Sequence, residues 1–365
     1  MYGLPSTENN THVTGRESAT VSTAKRKIKV LVVDDSLVFR EIVARGLAHD
    51  SQIEVVATAV DPYDARDKIL AYRPDVMTCD IEMPKMNGIE FIRRLLPQYP
   101  LPVIVVSTTS GAVFDALNAG AVEFISKPDL SSHRHIQHFL ADLAEKIKIV
   151  ARSKIKVAGT PRRVVLPPSR AGTSSYCRQV IAIGSSTGGT EALHYLLSHL
   201  PADIPAILIA QHIPPVFSRL FAEHLDAQTA FTVKEAEGGD VLEAGKVFIA
   251  PGDRHLRLKR QAGRYLTEVA EGEKVNGHRP SVDVLFESVA EAAGDKAVGI
   301  ILTGMGADGA RGMLQMRRKG ARTIGQDEQS SVVYGMPKVA YEIGAVEKQA
   351  PLSEIPDLLL EALSR

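Results

Sequence analysis

Only two cysteines, Cys79 and Cys177, occur in 365 residues. They are too few and too isolated for a disulfide framework or a thiolate metal site, so free thiols are expected. Charge of one sign is also missing, because Lys plus Arg and Asp plus Glu each number 43. With no overall field to attract nucleic acid or an anionic membrane, recognition must come from local sites. No stretch approaches the roughly 20 apolar residues of a membrane helix, and residues 1–27 hold no signal-peptide apolar run. These absences point to the cytoplasm. Internal repeats and low-complexity tracts are lacking as well, which excludes solenoid and fibrous classes.

What remains is a globular composition, 44% hydrophobic and 24% charged, in a chain long enough for two domains. Residues 1–27 are polar, end in Lys25, Arg26 and Lys27, and read as a disordered tail. From Ile28 short apolar runs of strand length alternate with amphipathic stretches of helical length. The runs are 28–33, 76–79, 103–106 and 123–125, and a helical pattern covers 136–150. This alternation predicts a parallel α/β sheet with helices on both faces over residues 28–150. Residues 151–176 are basic and dense in Pro, Gly and Ser, and read as an interdomain linker. A second α/β alternation fills 177–365, with strands expected at 179–183, 206–210, 247–249 and 298–302. Helices are expected at 190–200, 282–293 and 310–318.

Open parallel sheets gather functional groups where the carboxyl ends of strands meet the loops. In the first domain Asp34 and Asp35, Asp80, Ser107 and Lys127 all stand at such ends, and Pro128 follows the lysine. Three carboxylates drawn together repel one another unless a hard divalent cation sits between them, and oxygen-only ligation suits Mg2+. The inferred chemistry is attack by the Asp80 carboxylate on a phosphoryl group, with Mg2+ and Lys127 neutralising charge and Ser107 binding the new phosphate. The bland alternative is that Asp34 and Asp35 only cap the next helix. From Ile28 to about Val150 the residues resemble the receiver domains of two-component signalling, with a flavodoxin-like doubly wound sheet. The resemblance implies that Asp80 is the phosphoacceptor and that Asp34 and Asp35 bind the metal. It also implies Ser107 as switch hydroxyl, Phe124 as switch aromatic and Lys127 as the phosphate-binding lysine. The interval from Ser107 to Lys127 is a few residues short of typical receivers, so a trimmed fourth helix is expected, with Thr108 or Thr109 sharing the switch role.

In the second domain the first strand runs into Gly184, Ser185, Ser186, Thr187, Gly188 and Gly189. Read as G-x-S-x-G, this seats Ser186 on a tight strand-to-helix turn, where a helix N-terminus favours a developing anion. A nucleotide-phosphate cradle and plain helix entry compete with that reading. The spacing matches neither common phosphate-loop pattern. The strand at 206–210 leads to Gln211 and His212, and the strand at 298–302 leads to Asp308. Serine, imidazole and carboxylate therefore leave one edge of one sheet. A triad needs that convergence: His212 takes the Ser186 proton and Asp308 orients the imidazole. Their order differs from that of α/β-hydrolases, chymotrypsin and subtilisin, so a distinct hydrolase is indicated.

The segments IAIGSSTGGTEAL, QHIP, FIAPGDRHL, HRPSVDVLFESVA, LTGMGADGARGM and GQDEQSSVVYGMPKVA resemble the catalytic domain of CheB-type chemotaxis methylesterases, a three-layer α/β fold with a mostly parallel sheet. The resemblance implies hydrolysis of glutamyl γ-methyl esters on methyl-accepting chemoreceptors, and deamidation of certain glutamines, through one acyl-enzyme. It assigns Ser186 as nucleophile, His212 as base, Asp308 as orienting acid, and the backbone N–H groups of Met305 and Thr187 to the oxyanion. It further implies a chemotaxis histidine kinase as phosphodonor, no cofactor for the hydrolase, and a monomer touching membranes only through receptors. Phosphorylation of Asp80 is expected to loosen a receiver packed over the cleft. A regulator with a merely receptor-binding second domain is the alternative. His133, His135 and His138 are too poorly aligned for one metal site and suit a solvated helix. His255 and His278 lie in family-like segments and are given no chemical role.

Overall fold

A computed structural model describes residues 26–108, 110–152 and 179–364. Of the tail expected at 1–27 residues 1–25, of the linker expected at 151–176 residues 153–176, and also Cys177 and Thr109, lie outside the described residues. The first unit runs β1 (Ile28–Val33), α1 (Leu37–Leu47), β2 (Ile53–Ala59), α2 (Pro62–Tyr72), β3 (Val76–Cys79), α3 (Gly88–Leu95), β4 (Val103–Ser107), α4 (Val113–Asn118), β5 (Glu123–Ser126) and α5 (His133–Val150). Its five strands are all parallel, in the order β2-β1-β3-β4-β5. That is the doubly wound flavodoxin-like order, whose functional crevice opens beyond the ends of β1 and β3.

Strand alternation explains the two faces. Val30 and Val32 of β1 point to a core shared with Phe39 and Val43 of α1 and with Phe139, Leu143 and Ile147 of α5. Leu31 and Val33 point the other way, toward Ile69, Phe91 and Ile92 from α2 and α3. Helix α4 is short, six residues after a single 3-10 turn at Ser110–Ala112, in line with the short interval after Ser107.

The second unit begins β6 (Val180–Ser185), α6 (Gly189–Ser198), β7 (Ile207–Gln211), α7 (Phe217–Gln228), β8 (Thr232–Glu235), β9 (Lys246–Ile249), β10 (His255–Gln261) and β11 (Arg264–Ala270). It continues with α8 (Val282–Ala292), β12 (Ala297–Ile301), α9 (Ala310–Arg318), β13 (Arg322–Gln326), α10 (Met336–Glu342), β14 (Lys348–Ala350) and α11 (Ile355–Leu363). Seven strands form a wholly parallel sheet in the order β14-β13-β12-β6-β7-β9-β8, and β10 and β11 form a separate antiparallel hairpin. Along β6, Val180 and Ala182 face one core with α8 and α9, while Ile181 and Ile183 face the other with α6, α7 and α11. Three layers result.

The units touch through aromatic rings. Phe114 of α4 stacks on Phe221 of α7 at 5.4 Å and on His224 at 5.3 Å, and Phe124 of β5 lies 4.6 Å from Phe217. Asn118 Nδ2 and His224 Nε2 are 3.3 Å apart at the margin. One apolar cluster thus runs from the receiver-like core into the second unit.

Candidate active site

Beyond the ends of β1 and β3 the carboxylates of Asp34, Asp35 and Asp80 each have an oxygen within 4.8 Å of the others. Helix α1 is capped by Ser36, whose Oγ accepts from Phe39 N, so capping does not account for the acid pair. Lys127 Nζ lies 2.6 Å from Asp80 Oδ2 and 2.8 Å from Asp34 Oδ2, and the ring of Phe39 lies beneath the ammonium at 5.0 Å. Burial pushes the Asp80 carboxyl up despite the Lys127 charge beside it. Burial works against the Lys127 ammonium, but Asp34 and Asp80 outweigh it and raise its pKa. Asp34 Oδ2 is buried, and the Lys127 ammonium at 2.8 Å is its partner there. An all-oxygen set of this kind fits a hard divalent cation. Ser107, at the end of β4, is 2% exposed, and Thr108 beside it is exposed. Phe124 is buried against Phe217. His133, His135 and His138 are exposed on α5, and the only group with metal-site geometry among the described residues is the aspartate trio.

In the second unit, β12, β6 and β7 are neighbours at the centre of the sheet. Ser185 of β6 pairs in register with Gln211 of β7. Ser186 and His212 therefore leave adjacent strand ends, whose spacing is about 4.8 Å. His212 N donates to Ser185 O at 3.1 Å, and Gln211 Nε2 bridges Ser186 O and His212 O at 2.9 and 3.1 Å. Ser186 N donates to Thr303 O at 3.0 Å, which ties the serine turn to the loop after β12. Space there is tight, since a Cβ on Gly304 would lie 2.7 Å from Ser186 Cβ. Ser186 is partly exposed, and its turn enters α6 through Gly188 at φ 75°, without a side-chain cap.

His212 Nε2 is 2.8 Å from Asp308 Oδ2. Asp308 is 1% exposed and sits on the N-terminus of α8. Oδ2 also accepts from Val282 N at 2.7 Å, while Oδ1 accepts from Asn276 Nδ2 at 2.7 Å and Ser281 Oγ at 2.8 Å. Burial alone would raise this carboxyl. The donors from His212, Asn276 and Val282 outweigh it and hold Asp308 far below the ordinary carboxylate range. An ionised Asp308 can only accept, so Nε2 carries the proton and the lone pair of neutral His212 lies on Nδ1. That Nδ1 is buried and has no partner, and no hydrogen bond joins it to Ser186 Oγ among the described residues. In a resting hydrolase such a bond commonly forms only once substrate binds. Met305 is exposed on the same loop and Thr187 is buried beside the serine; neither backbone N–H has an acceptor among the described residues.

Sequence reasoning passed over several contributors. His278 stacks on His212, centroids 3.7 Å apart and planes 12° apart, and burial followed by the His212 charge pushes its pKa down to about 4. His255 is buried and fully bonded, Nε2 to Glu273 O and Nδ1 to Ser281 N, so it holds the cap of α8. Asn276 carries no sequence signal for a site, and Ser281 and Gln211, though inside the family-like segments, are given no role by the sequence, because their importance arises from contacts between distant segments.

A family model described as CheB methylesterase matches residues 181–359, and one described as response regulator receiver domain matches residues 30–137. The chain is 55% identical over 342 residues to a protein-glutamate methylesterase/protein-glutamine glutaminase of Syntrophomonas wolfei, covering 93% of this chain and 99% of that one. A protein of the same name from Syntrophotalea carbinolica is 48% identical over 348 residues, 93% of this chain and 98% of that one. Among solved structures, the CheB methylesterase catalytic domain of Thermotoga maritima is 41% identical, with a TM-score of 0.49 over 50% of this chain and 97% of that one. A receiver sheet carrying an aspartate trio and a parallel sheet carrying Ser186, His212 and Asp308 on adjacent strand ends occur here in one chain, and that chain belongs to the CheB methylesterase family.

Proposed function

We propose that this protein hydrolyses glutamyl γ-methyl esters, and deamidates certain glutamines, on chemotaxis receptors in the cytoplasm, under control of phosphorylation at Asp80. Ser186 Oγ attacks the side-chain carbonyl while His212 Nδ1 takes its proton. Met305 and Thr187 N–H groups stabilise the oxyanion. Collapse of the tetrahedral species expels methanol, or ammonia from glutamine, with the proton returned by His212. Water then attacks the acyl-enzyme with His212 again as base, releasing the glutamate and restoring Ser186. Asp308 keeps its negative charge throughout and stabilises the imidazolium.

The observation that carries this reading is the buried, unpartnered Nδ1 of His212, one strand end from Ser186, in a ring whose other nitrogen is bound to Asp308. Methanol release from methylated receptor tests it. Ser186→Ala is expected to lower the rate by at least about 10⁴-fold, and a receptor-binding scaffold would release no methanol with either protein.

For the receiver, Asp34, Asp35 and Asp80 would hold Mg2+, which when bound neutralises phosphoryl charge. A histidine kinase serves as phosphodonor. Lys127 meets the phosphoryl oxygens and Ser107 hydrogen-bonds the product. Repacking of Phe124 away from Phe217 then loosens the receiver from α7, so that a local charge event acts on the cleft of His212, five residues before Phe217.

A further inference from the structure

The chain between β11 and α8 folds into a tight four-residue turn. Val275 and His278 form an antiparallel pair, Val275 N donating to His278 O at 3.1 Å and His278 N to Val275 O at 2.9 Å. Asn276 and Gly277 between them have φ of 53° and 83°. An Asn-Gly pair closes a two-residue hairpin in this conformation at little steric cost. The turn is braced at its base. Glu273 O is 2.9 Å from His255 Nε2, Arg279 Nη2 pairs with Asp253 at 2.6 Å, and Arg279 Nη1 donates to Gly272 O.

Its two sides reach two different members of the triad. Asn276 Nδ2 donates to Asp308 Oδ1 at 2.7 Å and to Asp283 Oδ2 at 2.8 Å, and Arg311 Nη2 donates to Asn276 Oδ1 at 3.3 Å. His278 lies flat on the His212 ring. We infer that the Val275–His278 turn is a positioning clamp, in which Asn276 fixes the Asp308 carboxylate and His278 fixes the plane of the His212 ring. This inference rests on the proposed function. One hydrogen bond to Asp308 leaves the imidazole free to swing about that bond, and Nδ1 would then miss Ser186. A second ring against its face removes the swing. With its pKa pushed down to about 4, first by burial and then by the His212 charge, His278 sets no second positive charge beside the imidazolium formed in turnover.

The test uses the full chain, activated by a small phosphodonor, with methylated receptor as substrate. Asn276→Gly keeps the positive φ and removes the amide; His278→Ala removes the ring and His278→Phe restores a flat one. Asn276→Gly and His278→Ala are expected to lower kcat about tenfold with KM changed less than about twofold, as misplacement of a reacting group does. His278→Phe should recover most of the loss. The double variant should lose less than the product of the single losses, because both residues act on one pair. Labelling Ser186 with a fluorophosphonate counts competent molecules, so a folding defect is not read as slow turnover. Unchanged kcat in both single variants, a rise in KM alone, or His278→Phe as slow as His278→Ala would overturn the clamp. Ser186→Ala is run beside them: if it turns over like wild type the proposed function itself falls, and if it is inactive while the turn variants are unimpaired only the clamp falls.

Discussion

His278 shows how one residue links the site to stability. In the unfolded chain its imidazole takes a proton near its ordinary value of 6.5, whereas in the fold burial, and next the His212 charge, hold it down to about 4. The unfolded state therefore binds more protons between those values, and acid favours unfolding there. Stability from this group is complete above about pH 6.5 and declines towards pH 4, by on the order of 2 kcal/mol. Urea unfolding of wild type and His278→Phe at about pH 7.5 and about pH 5 measures it, and the variant is expected to lose distinctly less on acidification. Equal losses would show that His278 titrates freely. At this scale Ser186, His212, Asp308, Asp80 and Lys127 stood out in the sequence because each stands at or just beyond the end of an apolar run. His278 and Asn276 did not, since nothing local marks a histidine as a stacking partner or an asparagine as a donor to a carboxylate.

Among elements, the fully buried strands were the most legible. β1 and β3 coincide with their apolar runs, and β6, β7 and β12 fall within a residue or two of theirs. Strands β13 and β14 and the β10–β11 hairpin were not foreseen. RTIGQ opens on a half-buried arginine, KQA is three residues long, and the outer positions of β10 are charged, so none reads as a continuous apolar run. Helix α5 begins at His133 rather than near Ile136, because the Ser132 cap admits a polar first turn. Under the proposed function the element that would carry regulation is α4, whose Phe114 is buried between its own sheet and the Phe221 and His224 rings of α7. Truncating it removes about 3–5 kcal/mol of packing shared between the two units. Phe114→Ala is expected to raise the unphosphorylated esterase rate several-fold and to shrink the further gain on phosphorylation. A rate identical to wild type without phosphodonor would speak against restraint through this contact.

For the molecule as a whole, the two units meet at that contact, and under the proposed function the receiver site would act on the triad across it. Lys127 and Asp80 sit at one end of the receiver sheet, and Phe124, three residues before Lys127, touches the second unit. Asp80→Asn is therefore expected to keep basal hydrolysis and to abolish stimulation by a phosphodonor. Removing Mg2+ with a chelator should reproduce that loss in wild type. Methanol release with and without phosphodonor checks both, and couplings of about 1–3 kcal/mol correspond to several-fold to about hundredfold stimulation. Stimulation that survives Asp80→Asn would move the phosphoacceptor elsewhere.

Two α/β units and the residues standing at their strand ends could be read from the amino-acid order, because parallel strands buried on both faces are near-continuous apolar runs and the polar residue that ends each run is conspicuous. Strand order, which makes β12, β6 and β7 neighbours, required the folded chain. So did the seat of Asp308 on the N-terminus of α8, the clamp from Val275 to His278, and the aromatic seam between the units. Each joins segments tens of residues apart, and which distant surfaces meet is decided by how layers pack and where loops close, quantities that no short stretch of sequence encodes.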